Sequence, residues 1–357
     1  MTKMERTKKL ADILVNYSIK IKKNDIIIVL CDQASIPLAK ECYRAILERG
    51  AFPRIKFTLP GEQYIYFKHA KDHHFKTLSK LDLDEMKKSA GIIIIKSSNN
   101  KKELTNIDPK RVALQRKTDH PIHKIRWKKD NWVIVGYPSE GQAQEAGMSL
   151  EEFEDFVFSA TNIDWKKGRK IETKLKKILD KGKQVRIVGK ETDITFSIKG
   201  MKSVKSEGKR NVPDGEVYTC PIPKTVNGYI YYDYPAIYAG KEVTNVRLTF
   251  KNGKVVKATA DQNEKHLKEM IAMDKGASYL GELGVGTNPG IHKFIKSILF
   301  DEKIEFSIHL ALGNSFPECG KGGNESALHW DMIKDLRKGG ALYIDGKCIQ
   351  KNGKWLI

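Results

Sequence analysis

The stretch Phe306–Asp331, FSIHLALGNSFPECGKGGNESALHWD, decides how the second half of this chain is read. Period-two alternation puts Phe306, Ile308, Leu310 and Leu312 on one face of a strand, and Ser307, His309 and Ala311 on the other. The far end repeats the pattern, with Leu328, Trp330 and Met332 alternating with His329 and Asp331. A glycine-rich turn joins the two strands. Strands that aim imidazole and carboxylate away from an apolar face have the form of the walls of a metal site. Each histidine taken alone could equally be a hydrogen-bonded core residue, so the rest of the chain has to decide.

Outward from this stretch, the second half reads as short alternating segments: Val185–Val188, Ile194–Ile198, Glu216–Thr219, Tyr229–Tyr234, Val246–Phe250 and Val255–Ala260. Turn signals such as Pro213-Asp214-Gly215, Asn227-Gly228 and Asn252-Gly253 separate them. This predicts a mostly antiparallel α+β domain with one helix near Gln262–Ala272 and another after Asp331. The first half has a different rhythm. An amphipathic helix is expected over residues 3–21, then a buried strand at Ile26–Leu30, a helix opened by Ser35 and Pro37, and a strand at Pro53–Leu59. GIIIIK at Gly91–Lys96 and Trp132–Gly136 are further buried strands, with helices around Asp82–Lys88 and Asp108–Arg116 and a helical pattern over Gln142–Lys181. The fold expected is therefore an α/β N-terminal domain with a largely parallel sheet, residues 1–185, followed by the α+β domain carrying the metal site, residues 186–357. The connector is placed between Lys181 and Lys190.

Composition narrows the function classes. The chain has 357 residues, 40% hydrophobic and 30% charged, as in ordinary soluble domains. No run of about 18 apolar residues predicts a membrane span, and the N-terminal sequence shows no secretory signal. Five cysteines without a CxxC pair argue for free thiols and against a thiolate zinc site, so a cytoplasmic location is expected. The net charge of +20 could signal nucleic acid. Its lysines are dispersed, with patches at Lys124–Lys129 and Lys166–Lys177 that read as exposed faces, and no RNP, zinc-finger or basic-region pattern accompanies them. Nucleic acid is therefore not the expected partner. The loop CDQAS after Ile26–Leu30 lacks the glycines of a dinucleotide fingerprint. His120 and His123, split by Pro121, and the pair His73-His74 read as surface histidines.

Two glutamates complete the chemistry of the opening stretch. Glu216 follows the tight turn of NVPDGEVYT, and Glu282 lies between Gly281 and Gly284, where small neighbours leave room close to the backbone. Asp214 in the same turn reads as a solvated turn acid. Glu216, Glu282, His309, His329 and Asp331 supply imidazole and carboxylate only, which suits zinc, cobalt, manganese or iron. Three carboxylates with two imidazoles exceed the needs of one four-coordinate ion, which favours two ions sharing a carboxylate. Glu318 and Glu325, in the loop between the histidines, are candidates for the acid that moves water's proton. Cys319 has no evident activating partner.

NVPDGEVYTCP (211–221), GASYLGELGVGTNP (276–289), ILFDEKIEFSIHLALGNSFPECGKGGNE (298–325) and ESALHWDMI (325–333) together resemble the aminopeptidase T family of metallopeptidases. The resemblance extends to YPSEGQAQEAGMSLEEFEDFVF (137–158) and the IDW that follows. It implies the same five metal ligands, two divalent ions (cobalt, zinc or magnesium), release of N-terminal residues from peptide substrates, and a homodimer with an enclosed site. Where that family can place a tyrosine, seven residues after His309, this chain has Phe316. Two rivals remain open on sequence: another two-metal hydrolase, such as a phosphoesterase or amidohydrolase, and a basic binding protein with a degenerate site.

Overall fold

The computed structural model of the chain describes residues 1–165 and 170–357. These fall into two compact units: the residues up to 165 with a short return at 208–213, and the remainder. The division falls before helix Lys170–Lys181, whereas the connector was expected after it, because Leu175 and Leu179 of that helix are buried in the second unit's core. The basic patch expected over Lys166–Lys177 lies partly outside the described residues.

The first unit is built on a five-stranded, wholly parallel sheet in the order Phe52–Phe57, Ile26–Cys31, Gly91–Lys96, Trp132–Gly136 and Asn211–Val212. One face packs Ile27, Val29, Ile93 and Ile95 with Leu10, Leu14, Leu38 and Ile46, from helices and a π-helical turn. The other face packs Ile28, Ile92 and Ile94 against Ile122 and Ile125. Cover on both faces is why the strands read as unbroken apolar runs. The helix expected around Asp108–Arg116 continues from Pro109 to Lys129, straight through Pro121. Packing of Ile122 and Ile125 on the sheet offsets the lost backbone hydrogen bond, a cost of about 3 kcal/mol for an interior proline.

The second unit holds two large antiparallel sheets and a two-stranded one, Ala236–Tyr238 with Lys241–Val243. Eight strands run in the order Lys254–Thr259, Arg247–Lys251, Asn227–Tyr231, Thr192–Ser197, Gln184–Gly189, Ala341–Ile344, Lys347–Lys351 and Lys354–Trp355. Five more run in the order His329–Asp335, Ser307–Gly313, Leu280–Gly286, Glu216–Thr219 and Val204–Ser206. Both contribute to one core, with Ile187, Ile194 and Leu248 from the first sheet and Val217, Leu283, Ile308 and Leu310 from the second. The helix near Gln262–Ala272 is present at Glu264–Ile271. The helix expected after Asp331 is not formed. The chain stays extended to Asp335, keeping Met332 in the core, and then turns through Gly339-Gly340 into three short strands. Among the described residues no helix is long and apolar enough to cross a membrane.

Candidate metal centre

The five-stranded antiparallel sheet of the second unit has one apolar face and one chemical face. Val217, Leu283, Val285, Ile308, Leu310, Trp330 and Met332 point into the core. Alternation then sends Glu216 and Tyr218, Glu282 and Gly284, His309 and Ala311, and His329 and Asp331 to the opposite side. Cross-strand register aligns them, with Gly286 opposite Glu216, Glu282 opposite Ala311, and Ala311 opposite Asp331. Glycine and alanine between the charged side chains leave a shallow floor over which those side chains meet.

A β-bulge sets Glu282 on this face. Leu280 pairs with Leu312 and Glu282 with Ala311, so Gly281 is the extra residue between them. Without it Glu282 would follow Leu280 onto the core face; re-aiming a side chain in this way is a common use of bulges. A Cβ at 281 would lie 2.3 Å from the Asn314 carbonyl oxygen, so the position needs glycine. Gly284 has a different reason: a Cβ there would meet His309 Cε1 at 1.9 Å. The room expected beside these glycines is thus filled by the backbone at 313–314 and by the His309 ring.

Both imidazoles are held by their far nitrogens. His309 Nδ1 donates to the Glu302 carbonyl at 3.2 Å, and His329 Nδ1 donates to the Asn314 carbonyl at 2.9 Å. A carbonyl can only accept, so each ring carries its proton on Nδ1 in the neutral form and presents Nε2 inward. His309 Nε2 lies 3.6 Å from Glu216 Oε2 and 3.7 Å from Glu282 Oε1. His329 Nε2 lies 3.2 Å from Glu282 Oε2 and 3.4 Å from Asp331 Oδ1. Glu282 therefore faces one imidazole with each oxygen.

These separations fit ligands of a metal. Four ligands at ~2.0–2.1 Å around one tetrahedral ion lie ~3.4 Å from each other. Donor atoms of Glu282, His309 and Asp331 all fall within 4.8 Å of one another. Glu216 Oε2 and Asp331 Oδ1 are buried without a hydrogen bond among the described residues, a costly state that a cation relieves. The donor set and its unmet oxygens fit a divalent ion.

Protons balance the charge otherwise. Burial disfavours the His309 imidazolium, but Glu282 and Glu216 outweigh it and lift the pKa to about 9. Burial is likewise outweighed at His329, where Asp331 and Glu282 raise it to about 12. Burial raises Glu216 to about 8, although Lys303 pulls the other way. Asp331 is held at about 2 because His329 overcomes its desolvation.

Two further charged residues belong to the cluster and were not anticipated. Lys303 is buried, with Nζ 2.5 Å from Glu216 Oε1 and from Glu302 Oε1, and 3.9 Å from Asp214 Oδ1. Burial works against its charge, yet these carboxylates hold its pKa well above the usual lysine range. Asp214, read from sequence as a solvated turn acid, is only 2% exposed. The turn that carries it folds inward, where the Asn288 side-chain amide donates to its carbonyl. The signal that could have revealed Lys303 was the polar pair Glu302-Lys303 directly before a strand whose alternate residues line the site.

The structure does not draw Glu318 or Glu325 into the cluster. Both are exposed on the loop between the histidine strands and form no ion pair among the described residues. Phe316 on the same loop packs its ring 4.9 Å from His329 and 5.2 Å from Tyr218. His73, His74 and His120 are exposed and His123 half-buried, and none joins a metal-binding group among the described residues.

The sequence from residue 3 to 355 matches the family model described as thermophilic metalloprotease (M29). The chain belongs to that family. Membership in this metalloprotease family implies a divalent metal, which the cluster on the five-stranded sheet is fitted to hold. The chain is 26% identical to Aminopeptidase 2 of Geobacillus stearothermophilus over 97% of its own length and 94% of that protein's. It is 30% identical to Aminopeptidase AmpS of Bacillus subtilis over 76% and 78% of the two chains. Its fold matches the structure of wild-type AmpT from Thermus thermophilus with a TM-score of 0.87 at 20% identity, covering 99% of each chain. The α/β unit with its parallel sheet and the antiparallel unit with the candidate metal site are thus the fold of this M29 protein.

Proposed function

We propose that this M29 protein is a metal-dependent aminopeptidase that removes N-terminal residues from peptides, with its site on the chemical face of the five-stranded sheet. The observation that carries the reading is Glu282, buried between two imidazoles that are each turned inward by a backbone carbonyl. Relatives of this chain are named aminopeptidases, which supports the same activity.

The five residues divide around Glu282. Glu216 and His309 stand on its Oε1 side, His329 and Asp331 on its Oε2 side. Glu216, Glu282, His309, His329 and Asp331 would hold the divalent ions, two of them by the surplus of carboxylates, with cobalt, zinc and magnesium the candidates. Divalent ions bound here supply polarisation of the scissile carbonyl and a water of lowered pKa. The protein's own residues do the rest. Lys303 neutralises and fixes Glu216, and the anchored imidazoles hold Nε2 in place. The surplus of carboxylates favours a cationic α-amine beside the scissile bond, which explains cleavage at the N-terminus. A loop carboxylate takes the attacking water's proton and returns it to the leaving nitrogen. Of the two loop acids, Glu318 is favoured because it follows Phe316 by two residues, and the Phe316 ring packs 4.9 Å from His329. By resemblance the working form is a cytoplasmic homodimer.

Hydrolysis of aminoacyl amides by the purified protein tests this reading. Free-amine substrates should be cleaved, N-acetylated ones spared, and activity should disappear on chelation and return with added divalent metal. Phosphate-ester hydrolysis without amide hydrolysis would assign the site to a different reaction.

A further inference from the structure

Phe316 offers no hydroxyl to the site, and the neighbouring donors are committed. Lys303 Nζ is held by Glu216 and Glu302. The Ser315 hydroxyl donates to the Gly281 carbonyl and accepts from the Asn324 amide. Both imidazoles spend Nδ1–H on backbone carbonyls. Tyr218 is different. It stands two residues beyond Glu216 on the same face, directly opposite Gly284, which in turn lies opposite His309. Gly284 has no side chain to separate them. The Tyr218 ring packs at 5.2 Å on Phe316, whose own ring lies 4.9 Å from His329. The charges of Glu282 and Glu216 reach its phenol, and its hydroxyl makes no hydrogen bond with the protein among the described residues.

We propose that Tyr218 is the hydrogen-bond donor to the oxygen that becomes negative when the scissile carbonyl is attacked, the part that Phe316 cannot play. The proposal rests on the aminopeptidase reading above. In the step concerned, water's oxygen bonds to the carbonyl carbon and the carbonyl π pair moves onto oxygen. The Tyr218 O–H donates to that oxygen and keeps its proton, since a phenol is protonated at neutral pH. The proton lost by water passes to a loop carboxylate. When the C–N bond breaks, that proton goes to the leaving nitrogen and the carbonyl re-forms. A donor of this kind stabilises the transition state more than the substrate, so its loss falls on kcat.

The test is Tyr218→Phe in the full, metal-loaded protein, which removes one oxygen and keeps the ring against Phe316. The expected result is a kcat lower by about 10–100-fold, smaller than for a lone oxyanion donor because bound metal shares the charge. KM, metal content and melting temperature should stay unchanged. Affinity for a tetrahedral aminophosphinic dipeptide analogue, measured by calorimetry, should fall by a similar factor, while affinity for the planar free amino acid should not. Unchanged kcat and analogue affinity would overturn the proposal. So would a loss of activity that tracks loss of metal or of folded protein, which would make Tyr218 structural. If metal-loaded wild type cleaves no free-amine substrate, the aminopeptidase reading fails instead.

Discussion

Gly284→Ala tests how the His309 ring is seated. Gly284 lies in a strand and has no left-handed φ, so alanine suits its backbone. The obstacle is the ring: the new Cβ would sit 1.9 Å from Cε1 and 2.1 Å from Nε2 of His309, where ordinary contact begins at 3.4 Å. The imidazole must therefore retreat by about 1.5 Å, several times the ±0.2 Å tolerance of a metal–ligand distance. The same movement strains the 3.2 Å bond from Nδ1 to the Glu302 carbonyl. Loss of such an orienting partner alone costs ~10–100-fold in metal affinity, and displacing the ligand itself should cost at least the upper end. Overpacking should destabilise the fold by about 1–3 kcal/mol, which leaves it folded. Zinc and cobalt titration by calorimetry, with a thermal melt of the same samples, reads both quantities. Wild-type metal affinity and kcat in Gly284→Ala would mean that His309 is not a ligand in this rotamer.

Three other outcomes follow from the site's charges. Lys303→Met should leave the buried carboxylates of Glu216, Glu302 and Asp214 without their cation, destabilising the metal-free protein by about 3–5 kcal/mol in urea unfolding; added divalent metal should recover part of that loss. At neutral pH His309 (about 9) and His329 (about 12) hold protons that ligation must expel. Raised pKa values mean that the protonated form persists below them, so metal affinity should rise as pH climbs from 6 to 9. Calorimetry in buffers of different ionisation enthalpy should then show about two protons released per fully loaded chain. Glu318→Gln should lower kcat by about 10²-fold or more while Glu325→Gln leaves it near wild type; equal effects in steady-state assays would remove the distinction between them.

Much of this was legible in the chain because the strands alternate so plainly. His309 and Ala311 against Leu310 and Leu312, or His329 and Asp331 against Trp330 and Met332, declare which side is chemical. The parallel sheet likewise followed from runs such as GIIIIK that only cover on both faces can explain. What stayed hidden depends on contacts between distant segments. Asp214 looks like any turn acid until Lys303, far along the chain, is placed beside it. Gly281 and Gly284 read as open space, yet one is a bulge and the other a seat for an imidazole, and a bulge leaves no mark in local composition. The two-residue strand Asn211–Val212 is too short to show a period. The extension of the 109–129 helix through Pro121 depends on isoleucines finding a sheet.

The most direct measurement is metal stoichiometry of the reconstituted protein by plasma mass spectrometry, for wild type and for His309→Ala and Asp331→Ala. Two divalent ions per wild-type chain are expected, fewer in each variant, with aminoacyl-amide hydrolysis that falls with the ion count. A wild-type chain that retains no divalent ion yet cleaves the amide, or variants with unchanged metal content, would contradict this.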